Sequence, residues 1–214
     1  MTEYASSLGW GIRCYNRWAN PIRRRVVNRA NPRIILVNIN DSPNNWDGTD
    51  PIQEGNYEAW NFKRIEGQLL GEPQRPPYPW RYYGAIPAVG RVNLARLGGG
   101  KTDRSVNDIT VVWVVKKKMV VGWYLNATVF AAGQGPGPPH GNKYRAACLV
   151  KDGRVLDAKD RTWNVEDNGI RFGTFPRRYT NEDEDRKFRD RVRRYIDSKG
   201  TPAPSPKNKK LSLP

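Results

Sequence analysis

The feature that most constrains the fold is the stretch Ile109 to Phe130, ITVVWVVKKKMVVGWYLNATVF. It is a run of β-branched and aromatic residues with one break, Lys116–Lys118, and this pattern predicts two strands joined by a tight basic turn. Because side chains alternate along a strand, Trp123 and Tyr124 should point to opposite faces, so only one of them can face a given pocket. We expect the first strand to lie in the core and the second to form the wall of a pocket.

Shorter runs of β-forming residues predict further strands, and the last third of the chain predicts a helix. The predicted strands are Arg33–Asn40, Tyr57–Ile65, Arg81–Ala88 and Lys143–Val150, with a hairpin turn at Asp152-Gly153 that leads into Arg154–Leu156. The helix follows Thr180, with acidic residues at its start and an apolar stripe of Phe188, Val192, Tyr195 and Ile196. The expected fold is therefore mainly β, of the α+β class: a curved antiparallel sheet or a small β-barrel with a C-terminal helix.

Charge and aromatic content point to the class of partner. The chain of 214 residues has 37 lysines and arginines and a formal net charge of +16, together with eight tryptophans and ten tyrosines. Nucleic-acid-binding proteins use this combination, because bases stack on aromatic rings while cations hold the phosphates. A basic surface without a specialised partner is the alternative.

Composition also divides the chain into three parts. Residues 1–32 form an arginine-rich N-terminal arm, 33–199 the β-rich recognition domain, and 200–214 a linker or tail rich in proline and lysine. No apolar stretch is long enough for a transmembrane helix, and the N-terminus has no secretory signal pattern. The two cysteines cannot form a disulfide framework, which favours a reducing compartment. We therefore expect a cytoplasmic protein, and one that does not bind membranes.

The residues needed for common enzymatic mechanisms are missing from the sequence. The single histidine, His140, lies in a Gly/Pro loop without sequence neighbours that could make it an acid, a base or a metal ligand. Gly98-Gly99-Gly100-Lys101 is similar to a phosphate-binding loop but lacks the first glycine of the Walker spacing. We therefore expect no enzymatic activity, no metal and no cofactor.

Two groups of residues are candidates for contact with nucleic acid. For the base, Trp123 or Tyr124 would stack on it while Asn126 or Asn61 reads its edge, and Trp46, alone in the polar loop after the first strand, is a further stacking residue. Phosphates would be held by basic side chains from several segments. These are Lys116, Lys117, Lys118, Arg91, Arg96, Lys101, Arg177 and Arg178.

Several motifs occur in an order that resembles one protein family. They are IILVNI, DPIQEGNY, WNF, YYG, NLARLG, ITVVWV and VVGWYLNATVF, followed by Arg161, FPRR at Phe175–Arg178 and the helix ending in RRYIDS. In this order they resemble the N-terminal domain that precedes the HNH nuclease domain in a group of bacterial HNH endonucleases. The resemblance covers about residues 33–199. A chain with one histidine cannot supply the HNH site, so the resemblance implies recognition without cleavage.

The family is similar in plan to modification-dependent restriction enzymes, in which a small PUA/EVE-like or SRA-like β-barrel extrudes a modified base into an aromatic pocket. The resemblance thus implies a reader of double-stranded, modified DNA that serves a restriction or defence nuclease, carried as a nuclease domain or subunit. Two other functions fit the same residues. One is an interaction module for a peptide or a methylated cation, and the other is an RNA-binding domain.

Overall fold

The computed structural model describes one β-rich body. The described residues are 33–42, 44, 46–47, 61–66, 69, 79–87, 90–135, 143–173, 176–180 and 186–199. The predicted arm and tail, and the start of the predicted second strand, lie outside them. Within the described ranges no helix is long and apolar enough to cross a membrane.

In the described part of the chain, eight strands form one sheet. Their bounds are β1 Arg33–Ile39, β2 Ile65–Glu66, β3 Trp80–Gly84, β4 Ser105–Val115, β5 Met119–Gln134, β6 Tyr144–Leu149, β7 Gly153–Val155 and β8 Arg177–Tyr179. Seven of them follow the order β2-β3-β6-β5-β4-β1-β8, and β7 pairs with β5 beside β6. The prediction of a mainly β fold with a C-terminal helix is confirmed, and in the described part of the chain the sheet does not close into a barrel.

The central hairpin is the one that the sequence predicted. Strands β4 and β5 pair in antiparallel fashion around the turn 116–118. Their register shifts at three places, and such bulges bend the strands and increase their twist. Two residues beside these shifts, Asp108 and Asn126, have φ angles of 60° and 49°, which Asn and Asp tolerate better than other non-glycine residues.

Two details of the pairing differ from the prediction. Strand β1 runs parallel to β4, so the sheet is mixed rather than antiparallel, because the chain must cross back over one face before β4 begins. Strands β6 and β7 do not form a hairpin with each other. Both pair with the long strand β5, β6 near its end and β7 along Gly122–Tyr124.

Both faces of the sheet are covered. We call the inner face the one that carries Val37, Trp113 and Tyr124; it is covered by the segments around Trp46 and Phe62 and by the 3₁₀ turn Leu94–Leu97. The outer face carries Leu36, Val112 and Trp123 and packs against the helix α1, Arg186–Ser198. The helix turns its apolar stripe toward the sheet, with Phe188, Val192 and Ile196 buried and Tyr195 half-buried, as the sequence predicted.

The segment 57–65 was predicted to be a strand, and in its described part this is wrong for 61–64. Asn61 and Phe62 lie in a turn, and the strand begins at Ile65. The turn lets Phe62 reach the inner face, where its ring packs edge-on against those of Tyr82 and Tyr124. An alternating pattern of large and polar residues cannot distinguish a strand from a turn that inserts one aromatic side chain into a core.

Candidate nucleic-acid interface

Tyr124, predicted to line a base pocket, lies in the centre of the inner-face core. Its ring packs edge-on against Trp113 at 5.1 Å and stacks on Tyr82 at 5.9 Å between ring centroids. Its hydroxyl donates a hydrogen bond to the main-chain carbonyl of Asn61. Burial is the largest cause that raises the pKa of Tyr124 well above its ordinary value. Tyr124 therefore stabilises the fold and has no face left for a ligand.

Trp123 points to the opposite face, as alternation predicted, but it is buried there as well. Its ring lies edge-on to Tyr195 of α1, with centroids 6.2 Å apart, and the Arg154 guanidinium lies 5.9 Å from its centroid. Trp123 thus joins β5 to the helix and does not form the wall of a pocket. The second half of the Ile109–Phe130 stretch is core on both faces.

Asn61 and Trp46 are also buried, which corrects two further predictions. The Asn61 carboxamide oxygen accepts a hydrogen bond from the Ala85 N–H at 2.8 Å. Trp46 is fully buried, and its indole N–H donates to the Asn40 carbonyl at 2.9 Å. The polar loop folds back so that this tryptophan covers the inner-face core, where Phe62 lies against it edge-on at 6.4 Å.

Asn126 is the one predicted base-contacting residue that is exposed. It lies at a bulge of β5, where its φ angle is 49°, and its amide nitrogen lies 3.3 Å from a carboxylate oxygen of Asp152. The adjacent aromatic residues that would complete a pocket are inside the protein. Asn126 is therefore a polar group on an open surface.

The lysine turn, Lys116–Lys118, contacts neighbouring segments of the protein. The Lys116 ammonium lies 3.1 Å from Asp41 and that of Lys118 lies 3.5 Å from Glu166. The Lys117 ammonium donates to the Gly173 carbonyl at 3.2 Å. All three side chains are exposed, but a phosphate that approached them would have to compete with these partners.

Three of the predicted phosphate-binding arginines, by contrast, lie on segments that contact one another on the inner-face side. Arg177 of β8 donates to the main-chain carbonyl of Arg91 at 2.9 Å. The Arg96 guanidinium lies 4.9 Å from the ring centroid of Tyr179. Since Tyr179 follows Arg177 by two positions on β8, it shares a face with it. These two contacts hold the guanidinium groups of Arg177 and Arg96 in place, and Arg91 contributes its main-chain carbonyl.

A fourth arginine, Arg145 of β6, joins this group. It donates to the Ile86 carbonyl at 3.0 Å, in the same connection that carries Arg91. Burial is the largest cause that lowers the pKa of Arg145, and the positive charge of Arg177 lowers it further. We call Arg91, Arg96, Arg145 and Arg177 the arginine cluster. Like charges held close together attract an anion.

The remaining predicted cations lie elsewhere. Arg178 is exposed, and alternation along β8 places it on the face opposite Arg177. Lys101 is exposed in the turn before β4, where the Gly100 N–H donates to Asp103 at 2.7 Å. This is a local turn stabilised by an aspartate, with the 3₁₀ turn Leu94–Leu97 before it and a strand after it, so the order of elements differs from that of a Walker loop.

Two residues of this surface were missed from the sequence. Arg145 lies in KYRAACLV, which predicts only a strand, and nothing local indicates that β6 and β8 approach each other. Trp80 is 56% exposed, and among the described large hydrophobic residues it is the one that stands out as exposed. Its position directly after a proline-rich stretch was the available signal, because such stretches lie on the surface.

Comparisons of the chain with family models, with curated proteins and with solved structures found no match. The resemblance to the domain that precedes HNH nucleases therefore remains a prediction. The function has to be argued from the arrangement of side chains.

Proposed function

We propose that this chain is a DNA-binding domain that holds the phosphate backbone through the arginine cluster. The observation that carries the proposal is that the guanidinium groups of Arg145 on β6 and Arg177 on β8 both donate to main-chain carbonyls of the connection between β3 and β4, those of Ile86 and Arg91. Fixed guanidinium groups lose little conformational freedom when they bind, and a guanidinium group donates charge-assisted hydrogen bonds to phosphate oxygens.

The charge of the whole chain supports the same proposal. A formal net charge of +16 attracts polyanions over a range set by the ionic strength, and each phosphate that is neutralised releases a counterion. The arginine cluster forms the local binding site, and the net charge attracts DNA toward the protein. Such contacts position a protein on DNA without reading its sequence.

Recognition of a modified base requires an aromatic ring or an amide group that is exposed to solvent. Trp123, Tyr124, Asn61 and Trp46 are buried, so the proposal rests on backbone contacts and not on a base extruded into that pocket. The nuclease partner implied by the resemblance remains a prediction on which the proposal does not depend. An aromatic cage for a methylated cation is disfavoured, because the inner-face rings pack against one another.

A titration with duplex DNA tests the proposal. Fluorescence anisotropy with a labelled duplex, unmodified or carrying methylated or hydroxymethylated cytosine, should show binding that weakens steeply with salt. With three phosphates neutralised, the affinity should fall about fortyfold between 50 and 200 mM salt. Affinity that does not change with salt would contradict the proposal, and a preference for a modified duplex would add base reading to it. The same titration with duplex RNA tests the RNA-binding alternative.

A further inference from the structure

Trp80, at the start of β3, differs from the other large aromatic side chains in the described part of the chain because it is exposed to solvent. It lies two positions before Tyr82, whose ring is part of the inner-face core, so alternation places both side chains on the same side of the sheet. Tyr82 is buried, while Trp80 is 56% exposed at the start of the strand. The inner-face aromatic cluster therefore ends at its rim in a ring that is open to solvent.

A cation lies beside the neighbouring ring of Tyr82. The exposed Arg64, just before β2, has its Nε atom 3.4 Å from the Tyr82 hydroxyl, and β2 pairs with the start of β3. The partner of Trp80 itself is Glu66, and Arg64 precedes Glu66 by two positions, which places Arg64 diagonal to Trp80 across the pair. An open indole ring with a cationic side chain at a diagonal position combines a stacking surface with a group that holds phosphates.

We infer that Trp80 stacks on an unpaired nucleobase while Arg64 holds a neighbouring phosphate, so that the preferred substrate contains single-stranded DNA. This inference rests on the proposed function and names the class of DNA. A paired base in a duplex presents only its edges, whereas an unpaired base presents a whole face to an aromatic ring. Stacking needs no particular base, so the contact tolerates many sequences.

The distance to the arginine cluster is compatible with one strand that touches both sites. Arg145 lies in β6 next to Ala146, which pairs with Gly84 at the end of β3. From Trp80 to Gly84 the strand rises about 13 Å at roughly 3.3 Å per residue. A single-stranded chain of a few nucleotides covers this span. The cluster would then hold phosphates next to the base that lies on Trp80.

The test compares Trp80→Ala with Trp80→Phe, because phenylalanine keeps an aromatic face at the same position. The probes are a labelled single-stranded oligonucleotide of mixed sequence and the blunt duplex of the same sequence, measured by anisotropy. Trp80→Ala should weaken single-strand binding about tenfold and leave duplex binding within about twofold, while Trp80→Phe should lose less than about threefold on either probe. Since Trp80 is exposed, both variants should melt within a few degrees of the unchanged protein.

Tryptophan fluorescence adds a second readout. Stacking on a base quenches an indole, so single-stranded DNA should quench the unchanged protein more than Trp80→Phe. Unchanged single-strand affinity and quenching in both variants would overturn the inference. An equal loss on duplex and single strand in Trp80→Ala would also overturn it. Neither result touches the proposed function, which fails if replacement of Arg91 and Arg177 leaves both probes bound as before or if the affinity does not change with salt.

Discussion

The arginine cluster and the lysine turn are both strongly basic, yet they differ in what their charges face. Lys116 and Lys118 point at carboxylates of neighbouring segments, within 3.1 and 3.5 Å. Arg145 and Arg177 donate to main-chain carbonyls, which fix the guanidinium groups and carry no net charge. A count of positive charges along the sequence treats the two alike. The difference teaches that what a cation contacts inside the fold decides how much of its charge is left for a partner.

The largest expected effect comes from removing the arginine cluster's contacts with phosphate. Replacement of Arg91 and Arg177 by alanine should weaken duplex binding about a hundredfold or more, since each of the two lost hydrogen bonds to a charged group contributes about 1.5–3 kcal/mol. Anisotropy titration at constant salt measures the change. Arg178→Ala is the matched control for Arg177→Ala alone, because each removes one charge and Arg178 lies on the same strand but faces the other way and is exposed. Equal losses in the two proteins would mean that only net charge matters.

A second variant tests whether the buried interior contributes to stability alone or also to DNA binding. Tyr124→Phe removes the hydroxyl that donates to the buried Asn61 carbonyl, and an unpaired buried acceptor costs about 1–3 kcal/mol of the free energy of unfolding. Denaturant unfolding should show this loss, while the folded variant should bind DNA as the unchanged protein does. A variant that is fully stable but binds DNA poorly would show that Tyr124 contacts the ligand after all.

The same residue gives a dependence of stability on pH. The raised pKa of Tyr124 means that the folded protein keeps its proton where the unfolded chain loses it. Its contribution to stability is therefore complete below the ordinary tyrosine pKa of about 10 and declines as pH rises above it. Tyr124→Phe should unfold with a weaker dependence on pH in this alkaline range.

The smallest effect is expected at the lysine turn, and it goes in the direction of greater stability. Lys116 and Lys117 have φ angles of 52° and 58°, a two-residue turn for which Asn-Gly is preferred. The double change Lys116→Asn and Lys117→Gly should raise the free energy of unfolding by about 1 kcal/mol, because the left-handed backbone is strained for lysine. Thermal melting measures it.

DNA affinity of this turn variant should stay within about threefold of the unchanged protein. A loss comparable to that of the arginine variant would reverse the comparison and make the lysines the main contact. The strained backbone would then be the cost of presenting two cations at that position.

The hairpin β4–β5, strand β1 and the stripe of α1 could be predicted because the spacing of apolar residues in the local sequence indicates a strand or a helix. The parallel pairing of β1 with β4 could not, since it depends on how a long connection crosses a face. Trp46 and Asn61 were misplaced for a related reason. Polar neighbours indicate a loop, but they do not indicate whether the loop folds back over the core.

The candidate site divides in the same way. Arg91, Arg96 and Arg177 were found from charge alone, but the cluster they form with Arg145 depends on β6, β8 and the 86–97 segment meeting in space. Trp123 and Tyr124 were assigned opposite faces correctly. Alternation cannot say whether a face is covered, and here both are.

The salt dependence of duplex binding tests the central claim most directly. A plot of the logarithm of the binding constant against that of the salt concentration should lose about two from its slope when Arg91 and Arg177 become alanine, because each phosphate contact contributes about one. The turn variant at Lys116 and Lys117 should keep the slope of the unchanged protein. A slope that stays the same in the arginine variant and falls in the lysine variant would contradict the account.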